Sequence, residues 1–186
     1  MIAQLIHKLR HRPRSHSHTE ALIASFGAFL SITVIYYIML ELTLPSNTLA
    51  LLAASTGSTA LMMFTWPKSE FSHAWSALAG HTISGCIGVS CFQLLGGSFL
   101  ASALSVSLAL VFMHMLKCLH PPAGATALLA VIGGEQVTRL GFSFVLFPIF
   151  SNILLLVIVA QILNGLILPR LHALKIRQAP QAEQEN

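Results

Sequence analysis

The chain has 186 residues, of which 55% are hydrophobic and only 9% are charged, whereas a soluble domain carries about 25% charged residues. Between residues 21 and 169 it holds six acidic or basic side chains other than histidine: Glu41, Lys68, Glu70, Lys117, Glu135 and Arg139. This pattern excludes a soluble fold and predicts an all-α, polytopic membrane protein. Nucleic acid is excluded as a partner, because the basic residues flank apolar spans and form no stripe with interleaved aromatics.

The distribution of charge divides the chain into three regions. They are a basic N-terminal segment at residues 1–20, a transmembrane domain at residues 21–169 and a polar tail at residues 170–186. Lysine and arginine next to apolar spans are typical of the cytoplasmic side of a membrane. We therefore expect both terminal regions to lie in the cytoplasm, and we expect the membrane to be a bacterial cytoplasmic (inner) membrane.

Three apolar segments occupy the first half of the domain: residues 21–44, 48–66 and 74–95. The first is long enough to cross about 30 Å of hydrocarbon. The second is interrupted by Ser-Thr-Gly-Ser-Thr at 55–59. The third carries Gly80, Ser84 and Gly88 at a spacing of four residues, which lets membrane helices approach each other closely.

Three more apolar segments occupy the second half: residues 98–117, 120–133 and 142–169. The middle segment begins with His120, Pro121 and Pro122 and has only 14 residues. At about 1.5 Å per residue it reaches roughly 21 Å. It therefore cannot cross the membrane alone as a regular helix, unless its neighbours or an extended lead-in supply the missing length.

The two halves, residues 21–95 and 98–169, contain similar motifs. An offset of 67 aligns TGSTALM at 56–62 with AGATALL at 123–129, and Gly, Thr, Ala and Leu coincide. The halves are therefore predicted to form a pseudo-symmetric inverted repeat of long span, short interrupted helix and long span. Paired interrupted segments of this kind indicate the binding site of a transporter.

The charges of the connecting loops permit two crossing schemes. Six crossings place Lys68 and Lys117 inside with both termini and leave Arg139 outside beside Glu135. If the two short segments are re-entrant hairpins, four crossings remain and both lysines fall outside. The six-crossing scheme agrees better with the excess of basic residues on the cytoplasmic side.

The start of the segment at 120–133 has the features of an anion site. Proline fits the first turn of a helix, so we expect a helix to begin at about Pro122. The backbone amides around Gly124 would then be free and would point out of the helix start, together with the positive end of its dipole. Thr126 adds a hydroxyl, and the run at 55–59 could present a matching helix start from the other half.

The candidate substrate-binding residues are Lys117, His120, Pro121, Pro122, Gly124, Ala125, Thr126, Gly57, Ser58, Thr59 and His81. Each has a structural alternative. The two glycines could serve close packing, Lys117 could extend to the membrane surface, and His120 could cap its helix. His81 could hydrogen bond across helices.

A metal site or a cofactor is not expected. His16 and His18, with His7 and His11, could hold a metal ion, but no cysteine lies near them. The implied partners are a small inorganic anion and membrane lipid, and a homo-oligomer is left open.

The motif HPPAGATAL at 120–128 resembles that of the HPP family of small integral membrane proteins. The resemblance extends to GSTA at 57–60, where the family favours Gly-Ala-Ser-Ala, and to Gly80-His81, where the family tends to show Gly-Gly-His. Ala79 replaces the first of those glycines, and Thr56 stands where an aromatic or aliphatic residue is commoner. The resemblance covers nearly all of residues 21–169, and descriptions of the family usually count four spanning helices.

The resemblance implies a function, since relatives in plastids and cyanobacteria are described as nitrite transporters. Nitrite is a small monovalent anion and would suit the site expected at the helix starts. We therefore expect a transporter or channel for a small inorganic anion, with nitrite as the substrate, rather than an enzyme. The alternatives are an intramembrane enzyme using His120, Lys117 and Glu41, and a non-transporting scaffold or sensor that binds a partner through the Gly80–Gly88 face.

Overall fold

The computed structural model describes residues 18–41 and 46–167. The tail at 170–186, almost all of the basic segment at 1–20, and His7, His11 and His16 lie outside these residues. The described helices, in chain order, are α1 (His18–Glu41), α2 (Ser46–Thr65), α3 (Ala74–Leu95), α4 (Phe99–Met115), α5 (Ala123–Ile132), α6 (Glu135–Thr138) and α7 (Ser151–Ile162). A 3₁₀ turn at Glu70–Ser72 precedes α3, and π-helical turns at Val145–Phe150 and Leu163–Ile167 flank α7.

Among the described residues, three helical stretches are long and apolar enough to cross a membrane: Glu20–Ile38, Ala74–Leu95 and Val145–Leu166. The described part of the chain is helical and contains no strand, as predicted. The helix α5 has 10 residues, which correspond to about 15 Å. The prediction that this segment cannot cross as a regular helix on its own is therefore confirmed.

The predicted interruption at 55–59 is wrong, because α2 runs unbroken through Gly57. A glycine within a helix costs only about 1 kcal/mol. In addition, the Thr59 hydroxyl donates a hydrogen bond to the carbonyl of Ser55 one turn earlier, so a side chain that could have broken the helix is satisfied within it. The two halves thus differ, since α2 has 20 residues and α5 has 10.

A break occurs instead in the last apolar segment, which was predicted to be a single span. Phe147 is extended, with φ −141° and ψ 119°. Proline disfavours the helical conformation in the residue before it, and Pro148 follows directly. Both residues lie within the stretch that has the length and hydropathy of a span.

The small-residue face of α3 packs against other helices of the same chain. A Cβ atom on Gly88 would overlap the carbonyl oxygen of Ala127 and would lie 2.7 Å from the Cβ of Ala130. A Cβ atom on Gly80 would lie 3.0 Å from the Cβ of His120. The expected close approach of helices at this face is confirmed, and the face is occupied within the chain, so it is not open to the partner of a scaffold protein.

Contacts at the two ends of the helices distinguish the crossing schemes. At one end, the indole of Trp75 donates to the carbonyl of Leu116, which joins the start of α3 to the end of α4. At the other end, the carbonyl of Val131 lies beside Gly97 in the turn between α3 and α4. The segment from His120 to Val131 therefore passes from one end of the bundle to the other, and it does not turn back as a hairpin.

Candidate functional site

The residues that lead into α5 are folded into the bundle. After α4 ends, Lys117 adopts a positive φ of 53°, and the amide of Cys118 donates to the carbonyl of Met113. Cys118 and His120 are both fully buried. The chain thus enters the bundle before α5 begins, which supplies the length that α5 lacks.

The helix α5 begins at Ala123 with Pro122 as its cap, as the two prolines predict. The amides of Ala123, Gly124 and Ala125 donate to the carbonyls of residues 120–122 at 2.9, 3.1 and 3.1 Å. The prediction that these amides are free is therefore wrong. His120, Pro121 and Pro122 themselves form a tight turn, and i to i+3 bonds of this type satisfy the amides at a helix start.

A buried network of hydroxyl groups and imidazole rings lies beside this turn. The Nε2 atom of His81 lies 2.9 Å from the hydroxyl of Thr59, and its Nδ1 atom lies 2.7 Å from the hydroxyl of Thr126. The hydroxyls of Ser55 and Thr126 are 2.8 Å apart. His81 in α3 therefore connects α2 to α5.

His120 extends the network towards the surface. Its Nδ1 atom lies 2.7 Å from the carbonyl oxygen of Phe71 in the 3₁₀ turn, and its Nε2 atom lies 3.2 Å from the hydroxyl of Thr59. The rings of His81 and His120 have centroids 5.1 Å apart. We refer to Ser55, Thr59, His81, His120 and Thr126 as the hydroxyl–imidazole cluster.

Every member of the hydroxyl–imidazole cluster is buried. Thr59, His81, His120 and Thr126 are 0% exposed, and Ser55 is 3% exposed. Polar groups buried in this way are destabilising unless they are hydrogen bonded. Here the Ser55 hydroxyl makes one hydrogen bond and each of the other four side chains makes at least two. The offset of 67 that aligns the two sequence motifs also aligns Thr59 with Thr126, and these two threonines contact the two nitrogens of the same ring.

Two charged side chains lie near the outer end of the cluster. Glu70, next to Phe71, and Lys117 both lie exposed at the same end of the bundle.

The structure brings four of the predicted site residues together, namely Thr59, His81, His120 and Thr126. The others surround this group without joining its hydrogen bonds. Pro122 is buried and Gly57 and Gly124 are half-buried, whereas Lys117, Pro121 and Ala125 are exposed and Ser58 is exposed on α2. One member was missed, Ser55, which was noted only as part of the run at 55–59. The contact of His120 with the carbonyl of Phe71 was missed as well, because a sequence carries no signal for it.

A cleft of about 1030 Å³ lies elsewhere, between the start of α1, the end of α2 and the end of the last helical stretch. Its lining includes Glu20, Lys68 and Asn164 but no member of the hydroxyl–imidazole cluster. Since Glu20, Lys68 and Gly165 all line it, both ends of the described chain lie at the same end of the bundle as the 66–73 turn. This arrangement agrees with the six-crossing scheme.

Comparison with known proteins identifies the family. A model of the transmembrane region of HPP proteins matches residues 13–171. The chain belongs to the HPP transmembrane family. No solved structure matches it.

Two curated relatives of this HPP-family chain come from Dictyostelium discoideum, and both are named only as transmembrane proteins. One is 34% identical over 143 residues, which cover 75% of this chain and 45% of the relative. The other is 33% identical over 147 residues, which cover 77% of this chain and 50% of the relative. The chain thus spans about half the length of the curated relatives that it matches.

Proposed function

We propose that this HPP-family protein transports a small inorganic anion across the membrane and that nitrite is its substrate. The observation that supports this proposal is the hydroxyl–imidazole cluster, in which side chains from α2, α3 and the start of α5 meet inside an apolar bundle. Polar and ionisable groups in a membrane interior are unfavourable, and they commonly mark the path of a substrate or a proton.

The chemistry of the cluster suits a small oxyanion. Hydroxyl and imidazole N–H groups can donate hydrogen bonds, and hydrogen bonds to a charged partner are stronger than those between neutral groups. Thr126 lies in the first turn of α5, where the positive end of the helix dipole favours negative charge. Lys117 is exposed at the same end of the bundle and could attract anions from solution.

The hydrogen bonds of the cluster describe a closed site. The contact between Ser55 and Thr126 joins α2 to α5, and an anion that binds Thr126 would have to replace it. We therefore propose that separation of α2 from α5 opens the site, with α3 as the fixed element between them. This opening mechanism replaces the expectation that the start of α5 faces a matching helix start at 55–59, because α2 has no helix start there.

Transport can be tested in proteoliposomes with nitrite, nitrate, chloride and formate. The expected result is saturable nitrite uptake that Thr126→Val reduces by about tenfold or more, because a hydrogen bond to a charged group contributes about 1.5–3 kcal/mol and 1.4 kcal/mol corresponds to about tenfold. Thr82→Val is the matched control, since Thr82 lies in α3 but bonds only to the Leu78 carbonyl of its own helix. Absence of saturable flux for all four anions would contradict the proposal.

We further propose that the protein is not an enzyme. The hypothesis of an intramembrane enzyme combined His120 with Lys117 and Glu41. Both ring nitrogens of His120 are occupied by Phe71 and Thr59, and Lys117 is exposed. Glu41 ends α1, and it therefore lies at the opposite end of the bundle from the turn that holds Phe71.

For the location, we propose the cytoplasmic membrane with both termini in the cytoplasm. The basic residues near the two ends of the chain support this orientation. The bacterial source stays a prediction, as the curated relatives come from Dictyostelium discoideum.

A further inference from the structure

The number of hydrogen atoms in the hydroxyl–imidazole cluster can be compared with the number of hydrogen bonds. The five side chains make six hydrogen bonds, two of them to the backbone carbonyls of Ser55 and Phe71. With both imidazoles neutral, three hydroxyl hydrogens and two ring hydrogens are available. The cluster is therefore one hydrogen short.

The position of the missing hydrogen follows from the acceptors. The carbonyl of Phe71 can only accept, so Nδ1 of His120 carries the ring hydrogen and Nε2 is left bare. That bare nitrogen and the carbonyl of Ser55 both require the single hydroxyl hydrogen of Thr59. No rotation of the hydroxyl can satisfy both with full strength.

One added proton on Nε2 of His120 removes this conflict. The new N–H donates to the oxygen of Thr59, whose own hydrogen then donates to the carbonyl of Ser55. His81 donates from Nε2 to the second lone pair of Thr59 and accepts at Nδ1 from Thr126, which accepts from Ser55. All six hydrogen bonds are then made. A proton added to His81 instead would leave the conflict at Thr59 unchanged.

We propose that His120 binds one proton at Nε2 together with the transported anion, so that the protein is a proton–anion symporter. This inference rests on the proposed transport function. A hydronium ion on the side with higher proton concentration transfers its proton to Nε2, so that one O–H bond breaks and one N–H bond forms. The reverse transfer to water takes place on the other side.

The charges favour binding of the two ions together. An imidazolium buried without a counter-ion is unfavourable in an apolar environment, and a nearby anion stabilises the charged form. Among the described residues, the hydrogen-bond partners of the two rings include no carboxylate and no lysine. His81 and His120 face each other, while Glu70 and Lys117 are exposed at the surface. The transported anion would therefore be the counter-ion of the protonated His120.

His120 is fully buried in the closed site, so Nε2 can exchange a proton only when the site opens. Its Nδ1–H keeps its bond to Phe71 in the turn at the end of the bundle, whereas Nε2 faces the interior of the cluster. Separation of α2 from α5 would therefore expose Nε2 to the proton and to the anion together.

The test measures nitrite and proton movement in the same proteoliposomes, with a pH-sensitive dye inside. Protein-free liposomes report the leak of undissociated nitrous acid. For the unaltered protein we expect one proton to enter with each nitrite, and an imposed proton gradient to drive nitrite uptake. Nitrite flux without net proton movement would overturn the symport proposal and leave the transport function standing. Absence of nitrite flux would overturn both.

A variant separates the role of His120 from a role in folding. We expect His120→Gln, whose amide can still bond Thr59, to lose proton entry while the protein remains folded. His114→Gln is the control, because His114 is exposed on α4 and bonds only to the Leu110 carbonyl. Nitrogen-15 NMR of labelled histidines in micelles gives a second measurement. Nitrite should convert one buried imidazole to imidazolium between about pH 5 and about pH 8, and no change in any buried ring would overturn the proposal.

Discussion

At the scale of single residues, the site depends on two histidines whose nitrogens are all engaged. His81 holds two threonines from different helices, and His120 holds the loop that leads into α5 against the 3₁₀ turn. Such contacts define which tautomer each ring adopts. The cluster therefore has a structural role, and measurements must separate this role from the proposed proton binding at His120.

At the scale of helices, the small residues of α3 position the site. Gly80 allows the loop with His120 to lie against α3, and Gly88 does the same for α5. Ser84 and Gly85, between them, are also buried. Since His81 lies in this same stretch, the packing that brings α5 close also places Thr126 against the ring.

Two glycines in helices provide a matched pair of substitutions. Gly88→Ala should destabilise the protein by about 1–3 kcal/mol, because the added carbon overlaps Ala127 and Ala130. Gly57→Ala should stabilise it by about 1 kcal/mol, because a Cβ atom there meets nothing within 4 Å and alanine favours a helix. Thermal unfolding in detergent measures both changes. A Gly57→Ala protein that is more stable but no longer transports nitrite would indicate that substrate passes close to this position.

The helices show which features a sequence can predict. Periodic small residues indicated the packing face of α3, and the two prolines indicated the start of α5. The sequence did not reveal that α2 is continuous, because Ser-Thr-Gly-Ser-Thr is equally compatible with a break, and the bond from Thr59 to Ser55 decides between the two. The prediction of free amides at the start of α5 was wrong for a similar reason, since the conformation of residues 120–122 cannot be read from composition.

The site itself was partly predictable. Thr59, His81, His120 and Thr126 are conspicuous because they are polar residues in apolar segments, and all four meet. Their distances from each other in sequence gave no information about which atoms pair. The contact of His120 with Phe71 involves a backbone carbonyl, which every residue has, so nothing in the sequence distinguishes it.

At the scale of the whole molecule, the order of the helices places the connecting loops at two opposite ends. The 66–73 turn and the residues before α5 lie together, joined by Trp75 with Leu116 and by Phe71 with His120. The α3–α4 turn and the end of α5 lie together at the other end, where Val131 approaches Gly97. Together with the cleft that Glu20, Lys68 and Gly165 line, these contacts agree with six passages of the described chain through the bundle, although α5 alone is too short to span the hydrocarbon.

This arrangement predicts which loops can be labelled from each side of the membrane. In a protein whose Cys86, Cys91 and Cys118 are replaced by serine, we expect Lys68→Cys and Lys117→Cys to react with a membrane-impermeant maleimide only in inside-out vesicles. Arg139→Cys should react only in intact cells, because Arg139 is exposed near the opposite end, in an ion pair with Glu135. This direction follows from the proposed orientation, in which the basic ends of the chain lie in the cytoplasm. Reaction of Lys117→Cys and Arg139→Cys from the same side would show that the segment between them turns back. This result would contradict the passage of α5 from one end of the bundle to the other.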